Sequence, residues 1–274
     1  MKFWKLHGIG NDFIAIDDRE NKILDYSKLA ETVCNRRFSV GADGFLAVNN
    51  SNSSDVKMAY YNADGSLASM CGNGLRCFVR FVYENKIVDK TKFSVETLDG
   101  IKNIEINLKD NKFDTVRVDM GLGSFDSKDV PAITQNVEFM NEEINILDKT
   151  FKVSAMLMGV PHAVIFVDEL INEEVIKYGS IIEKHELFPN NINVNFVKII
   201  DKENIEVKTF ERGCGYTFAC GTGMTASAII SNRFGFVDKN VNVKSEGGSI
   251  KIEVCETNYM IGLATKICEG IVEL

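Results

Sequence analysis

Two stretches of this chain read as one motif written twice. Leu6-His-Gly-Ile-Gly-Asn-Asp-Phe-Ile-Ala-Ile-Asp17 and Leu157-Met-Gly-Val-Pro-His-Ala-Val-Ile-Phe-Val-Asp168 align at an offset of 151 residues, and Leu6, Gly8, Ile14 and Asp17 meet identical residues. Phe45 meets Phe196 at the same offset, and Cys71-Gly-Asn-Gly74 meets Cys220-Gly-Thr-Gly223 at 149. Each tetrapeptide begins nine residues after the second member of an aromatic-plus-polar pair, Tyr61-Asn62 in one case and Phe210-Glu211 in the other. Three matches in one order at nearly one spacing describe two homologous halves, which a chain of 274 residues has room to fold as two domains.

Around these motifs the chain is mostly short strands. Ile101 to Leu108 places Ile104, Ile106 and Leu108 on one side. Ile205-Glu-Val207-Lys-Thr209 and Ile250-Lys-Ile252-Glu-Val254 alternate in the same way, which predicts half-buried strands. Phe13-Ile-Ala-Ile16 and Val164-Ile-Phe-Val167 are continuous apolar runs, suited to strands covered on both faces. A helix is expected after Ser27 as its cap, carrying Leu29, Ala30, Val33 and Cys34, and another over Asn172 to Phe188. Two more begin inside the repeated tetrapeptides. One starts at Gly72 and carries Leu75, Phe78, Val79 and Val82 at helical spacing. The other starts at Gly221, is apolar or small all round through Ile230, and has Gly235 as its stop. The turn-rich stretch from Gly121 to Pro131 is a connection after a strand at Val116 to Met120.

Charge and composition narrow the function classes. Asp and Glu number 39 against 31 Lys and Arg, a net charge of −8. That is the wrong sign for a surface that replaces phosphate counterions, so no nucleic-acid partner is expected. No apolar run approaches the roughly 20 residues of a membrane span, so no membrane partner is expected. Met1 to Gly8 holds no apolar signal core, which predicts a cytoplasmic protein with reduced cysteines. The seven cysteines are odd in number, and the six-residue steps from Cys71 to Cys77 and Cys214 to Cys220 are not zinc-site spacings, so neither a disulfide framework nor a metal is expected. Cys34, Cys77, Cys255 and Cys268 read as small buried hydrophobes. His7 and His185 read as structural histidines.

Cys71 and Cys220 are different because each stands just before a helix N-terminus. Bare backbone N–H groups and the positive helix end lower a thiol's pKa and attract an anion. Two matched halves facing each other across a cleft would bring two thiols and two helix ends to one small anion. Cysteine peptidases need one nucleophile and a base, and dithiol redox proteins place their thiols close in sequence. Inversion at a carbon next to a carboxylate needs a base on one face and an acid on the other, which a pair of thiols supplies. The growing charge on the carboxylate would be held by the helix ends.

At these residues the chain resembles the diaminopimelate epimerases, amino-acid racemases that use a cysteine pair and no cofactor. The matching motifs are Gly10-Asn11-Asp12-Phe13, Gly41-Ala-Asp-Gly44, Asn62-Ala-Asp-Gly65 leading to Cys71-Gly-Asn-Gly-Leu-Arg-Cys77, Gly159-Val-Pro-His162, Asn193-Val-Asn-Phe196, and Glu211-Arg-Gly213 leading to Ala219-Cys-Gly-Thr-Gly223. They follow the family's order and cover nearly the whole chain. The resemblance implies an α+β fold of two homologous domains related by pseudo-two-fold symmetry, each a β-barrel-like sheet around a central buried helix. Residues 1–117, joined by a C-terminal strand at 265–274, would form one domain and residues 118–264 the other. It further implies Cys71 and Cys220 as the acid–base pair, tuned by His162 and Glu211. Asn11, Gly72, Asn73, Gly221 and Thr222 would bind the reacting amino and carboxylate groups, Asn62, Asn193 and Arg212 the far end of the substrate, and Glu211 would contact the substrate as well. The partner implied is a small amino acid, with no cofactor, and family members are often homodimers.

Two positions depart from the family. Val160 stands where an Asn usually helps bind the distal carboxylate, and Val offers no donor. Tyr216 stands where the family usually has Glu. The leading reading is epimerisation of LL- to meso-diaminopimelate, in lysine and peptidoglycan-precursor synthesis. Open beside it are a racemase of another amino acid such as histidine, a non-catalytic amino-acid-binding protein, and a thiol–disulfide oxidoreductase. Within the site, Asn62 has the alternative of capping a turn and Arg212 that of a structural ion pair.

Overall fold

A computed structural model describes residues 1–68 and 70–273. The chain divides into two compact units, Met1–Asp119 with Ile261–Leu274, and Met120–Met260.

In the first unit the elements run β1 (Lys2–Gly8), β2 (Asn11–Asp17), α1 (Tyr26–Val33), β3 (Gly44–Asn49), β4 (Val56–Asn62), α2 (Gly72–Glu84), β5 (Lys92–Thr97), β6 (Gly100–Lys109) and β7 (Lys112–Gly121). β1 pairs antiparallel with β2, β2 parallel with β3, β3 antiparallel with β4, and β4 parallel with β5, which continues antiparallel into β6 and β7. The second unit runs β8 (Glu142–Ile146), β9 (Lys149–Met158), β10 (Val160–Phe166), α3 (Asn172–Ile182), β11 (Asn193–Ile199), β12 (Asn204–Glu211), β13 (Gly215–Thr217), α4 (Gly221–Arg233), β14 (Asn240–Ser245) and β15 (Gly248–Glu253). β16 (Asn258–Leu263) then leads into β17 (Thr265–Ile271), which pairs with β1 of the first unit, Lys2 opposite Ile271.

The second unit repeats the first unit's pairing scheme. β9 and β10 are antiparallel, β10 and β11 parallel, β11 and β12 antiparallel, β12 and β14 parallel, and β14 and β15 antiparallel. Register carries the repeat to single residues: Phe13 pairs with Gly44 and Val164 with Asn195, each pair displaced by 151. The next strand refines it. Gly44 faces Asn62 and Asn195 faces Thr209, so in the sheet Thr209, not Glu211, stands where Asn62 stands.

Each unit is built around one buried helix. α2 lies against β1, β2, β3 and β4, and α4 against β9 to β12 and β14. Leu75, Phe78, Val79 and Val82 of α2 are fully buried, the stripe read from the sequence. α4 buries hydroxyls as well, and each finds its own helix: Thr225 donates to the Gly221 carbonyl at 2.8 Å, Ser227 to Gly223 at 2.7 Å and Ser231 to Ser227 at 2.7 Å. A helix with so many polar side chains can be enclosed only because these bonds satisfy them. Arg76 and Arg80, one turn apart on α2, donate to the carbonyls of Leu263 and Ala264 at 3.1 and 2.7 Å, which fastens the returning C-terminal segment.

Local readings shift in three places. α1 is capped by Asp25, whose carboxylate accepts from the Lys28 N–H, while the Ser27 hydroxyl turns to the Gly65 carbonyl. α3 ends at Ile182 rather than Phe188, because the Glu183 carbonyl is taken by Ile192 N–H and the chain turns back, burying Phe188 against Phe139. Cys34 and Cys77 are buried, but Cys255 and Cys268 are exposed. Cys255 sits in the turn after β15, donating to the Thr257 carbonyl, and Cys268 lies on β17, whose residues are mostly exposed. Among the described residues no helix is long and apolar enough to cross a membrane.

Gly179 of α3 tests the packing. A Cβ there would lie 2.7 Å from Cβ of Phe210 on β12. Gly179→Ala gains up to about 1 kcal/mol of helix propensity but overpacks a closed interface, which costs about 1–3 kcal/mol. Packing should win, so the denaturant midpoint of Gly179→Ala falls below that of the parent.

Candidate active site

Both buried helices begin at a thiol. Cys71 and Cys220 are the N-cap residues of α2 and α4, with extended backbone (φ −140° and −119°), and their carbonyls accept the first helical bonds from Leu75 and Met224, both at 2.8 Å. Gly74 and Gly223, the last residues of the two tetrapeptides, have a packing role the sequence reading did not give them. A Cβ on Gly74 would sit 3.2 Å from the Phe13 ring, and one on Gly223 would overlap the Asn195 amide oxygen. Glycine lets each helix start press against its sheet.

In the first unit, Asn11 reaches Cys71. The thiol donates to Asn11 Oδ1 at 3.4 Å, and the other end of that amide donates to Asp43 Oδ2 at 2.8 Å. A carboxylate can only accept, so Asp43 fixes which end of Asn11 faces the sulfur. Asp43 is itself held by Arg36 at 2.7 Å, and Arg36 also binds Asp12. Burial would raise the Asp12 pKa, but Arg36, Lys5 and the Asp43 N–H together hold it below its usual value. Beneath the start of α2 the fully buried Arg76 donates to Asn73 Oδ1 at 2.8 Å. Asp43 and Arg76 were visible in the sequence only as motif letters; their roles depend on strands and helix turns meeting.

In the second unit, Glu211 lies beside Cys220. Burial raises the Glu211 pKa, and hydrogen bonds from Thr217 and Cys220 pull against that rise. The Thr217 hydroxyl is 2.5 Å from Glu211 Oε1. Burial also pushes the Cys220 thiol well above its usual value, and the negative charge of Glu211 adds to this; Thr222 and the Gly223 N–H oppose it. The helix end therefore does not leave Cys220 ionised, as its position alone suggested. The thiol keeps its proton and offers it to a carboxylate that is itself inclined to hold one. Gly159, with φ +70°, leads into Val160 and stands against Thr222, whose methyl would be 3.8 Å from a Cβ there. Val160 therefore follows directly on the residue touching the first turn of α4.

His162 is fully buried on β10, with Nδ1 3.2 Å from Asn195 Nδ2. Three other expected site residues are engaged locally. Asn62 donates to Ser66 at 2.9 Å and accepts from Tyr60 at 3.0 Å, closing the turn after β4. Asn193 donates to the Pro161 carbonyl and accepts from Arg212 N–H at 3.0 Å, so it shapes the backbone that carries Glu211 and Arg212. The Arg212 guanidinium donates to the Asn190 carbonyl at 3.1 Å and makes no ion pair among the described residues. Tyr216 points its hydroxyl to Glu246 at 2.6 Å and to Asn172 at 3.2 Å, bracing β13 against the start of α3. No cluster of three or more His, Cys, Asp or Glu side chains among the described residues is arranged to hold a metal ion.

The α+β fold is shared with a wider class of proteins. A phenazine biosynthesis protein of the PhzF family from Bacillus anthracis superposes with a TM-score of 0.70 at 15% identity, covering 100% of this chain and 99% of that one. Sequence narrows the class. The family profile described as diaminopimelate epimerase matches residues 3–125 and 154–267. The diaminopimelate epimerase of Clostridium perfringens is 45% identical over 98% of both chains, and that of Alkaliphilus metalliredigens is 44% identical over 99% of this chain and 97% of its own. The chain belongs to the diaminopimelate epimerase family.

The Cys220–Glu211 pair makes a signed prediction. Glu211→Gln removes the charge that opposes the thiolate, so the Cys220 pKa should fall. Alkylation of Cys220 by iodoacetamide, followed against pH by peptide mass spectrometry, should then rise at lower pH than in the parent.

Proposed function

We propose that this protein epimerises LL-diaminopimelate to meso-diaminopimelate, with Cys71 and Cys220 as the acid–base pair and no cofactor. The observation that carries the reading is a thiol at the N-cap of each of two buried helices, in a chain about 45% identical to curated diaminopimelate epimerases. One thiolate takes the α-proton and the other thiol delivers a proton to the opposite face of the carbon. The first cysteine ends as thiol and the second as thiolate, so the two exchange states with each turnover.

The groups around each thiol fit this exchange. Glu211, whose carboxyl is raised by burial, accepts the Cys220 proton when that cysteine must act as base. Burial raises both groups, so the carboxyl holds a proton more readily than an exposed one would. Asn11 receives the Cys71 S–H. The N–H groups of Gly72, Asn73, Gly221 and Thr222 hold the reacting carboxylate and the charge that develops on it. Arg212 binds the distal carboxylate, while Asn62 and Asn193 set the backbone on which that end of the pocket rests. In this reading His162 helps to tune the thiols. The same reading places the protein in the cytoplasm as a homodimer, supplying meso-diaminopimelate for lysine and peptidoglycan-precursor synthesis.

The test is α-proton exchange in deuterated water, with LL-diaminopimelate and L-histidine as separate substrates. Diaminopimelate should lose its α-proton signal and change configuration, and histidine should not. Cys71→Ala and Cys220→Ala should each lose at least about 100-fold in rate, the scale of a missing general acid or base. Exchange on histidine alone would reject the substrate, and full activity in either cysteine variant would reject the two-thiol mechanism.

A further inference from the structure

Among the described residues, Nε2 of His162 is a buried polar atom without a hydrogen-bond partner. A buried polar group left unpaired costs stability, so a native protein keeps one where something else is to fill it. What His162 can offer there depends on where its ring proton sits, and the surrounding strands decide that.

His162 lies on β10 opposite Asn193 of the parallel β11, and Asn195 stands two residues further along β11. The Asn195 side chain is held at three points. Its Nδ2 is 3.0 Å from the Ala163 carbonyl and 3.2 Å from His162 Nδ1, and its Oδ1 accepts from the Thr209 hydroxyl at 2.9 Å. A backbone carbonyl can only accept, so the NH2 end of the amide must face Ala163. Turning the amide over would set two oxygens against each other. One N–H is spent on Ala163, and the second points to His162 Nδ1. That nitrogen can receive it only through a lone pair, so it carries no proton. The ring proton is on Nε2.

We propose that Asn195 is a positioning residue that locks His162 as its neutral Nε2–H tautomer, making it a hydrogen-bond donor to an anion at this site and not a proton-accepting base. Protonating Nδ1 would set an N–H against the N–H of Asn195, so the ring resists becoming imidazolium. Burial, assisted by the positive charge of Arg212, works in the same direction and lowers the His162 pKa to about 3. A neutral donor holds a carboxylate or thiolate without changing its own charge, so proton transfer is left to the thiols and Glu211. The identity of the anion rests on the epimerase reading; the tautomer does not.

Asn195 has no counterpart in the other half. The equivalent position on β3 is Gly44, and the residue equivalent to His162 is Asn11, whose amide is fixed instead by Asp43. The lock is therefore particular to the second half of the chain.

The test uses nitrogen-15 spectra of the full-length protein, in which only three histidines contribute signals. His162 should show a bare Nδ1 and a protonated Nε2, unchanged between about pH 5 and pH 8, where an ordinary histidine titrates. A proton on Nδ1, or titration in that window, would overturn the proposal. Adding diaminopimelate to the protein should move the Nε2–H signal if the anion is the substrate carboxylate. Movement confined to the range above about pH 8, without substrate, would identify a thiolate; a signal indifferent to both would overturn the donor role. Asn195→Asp puts a carboxylate opposite Nδ1, so the ring proton should move to Nδ1 and the ring should titrate at higher pH. For diaminopimelate, kcat should fall roughly ten- to hundredfold, the loss of one hydrogen bond to a charged group, with a smaller change in KM. If that variant keeps the parent's tautomer and pH profile, Asn195 does not set the state of His162. The wild-type spectrum needs neither a folded variant nor a known substrate. A locked tautomer in a protein inactive on diaminopimelate would therefore reject the functional reading and leave this assignment standing.

Discussion

The close seating of α2 and α4 on their sheets governs the rest of each unit. Each helix starts at a residue that must be extended on one side and helical on the other, and each start is pressed against strands that leave little room for a side chain at Gly74 and none at Gly223. Gly74 faces the Phe13 ring and Gly223 faces the Asn195 amide. With the start pinned there, the cap position carries a thiol, and the first-turn N–H groups are fixed in direction. An alanine at Gly223 would move the helix start away from the strands that carry His162, Asn195 and Thr209. The buried hydroxyls of α4 and the arginines of α2 follow from the same enclosure, since every polar group drawn in with the helix needs a partner.

Burial also decides the electrostatics. A helix N-terminus is worth up to about 2 kcal/mol to a nearby anion. Desolvation of a fully buried group can shift its pKa by about 3–5 units, at 1.36 kcal/mol each. For Cys220 the second effect wins, and the neighbouring Glu211 carboxylate reinforces it. The consequence is a protonated thiol hydrogen-bonded to a carboxyl group that burial has also made more basic. Cys220 is thus held as a proton donor, the form an acid on one face of a carbon needs.

The two halves keep one scaffold and furnish it differently. Asn11 and His162 occupy equivalent places on β2 and β10, yet one is a neutral amide held by a carboxylate and the other an imidazole held by an amide. β13 has its first-half equivalent in a single bridge, Tyr61 to Leu67. In the second half the extra strand carries Thr217, which steadies Glu211. Tyr216, one of the two departures from the family, braces this strand through Glu246 and Asn172. Val160 remains the departure that lies next to the first turn of α4.

What could be read from the chain alone is what local pattern controls. The duplication, the alternating strands, the two buried helices and the thiols at their starts all follow from spacing, because side-chain periodicity and cap chemistry act over a few residues. The cap of α1 and the end of α3 lie a few residues from where the pattern puts them, because the Gly65 carbonyl draws off the Ser27 hydroxyl and the Ile192 N–H takes the Glu183 carbonyl. The roles of Asp43, Arg76, Asn195 and Thr217 were not legible. Each depends on a partner brought near by strand pairing or helix packing, as when Asn195 meets Ala163 and His162 more than thirty residues earlier. The same holds for protonation. Sequence places Cys220 at a helix end, which favours the thiolate, but only the folded unit removes its water and sets Glu211 beside it, and desolvation is the larger of the two effects.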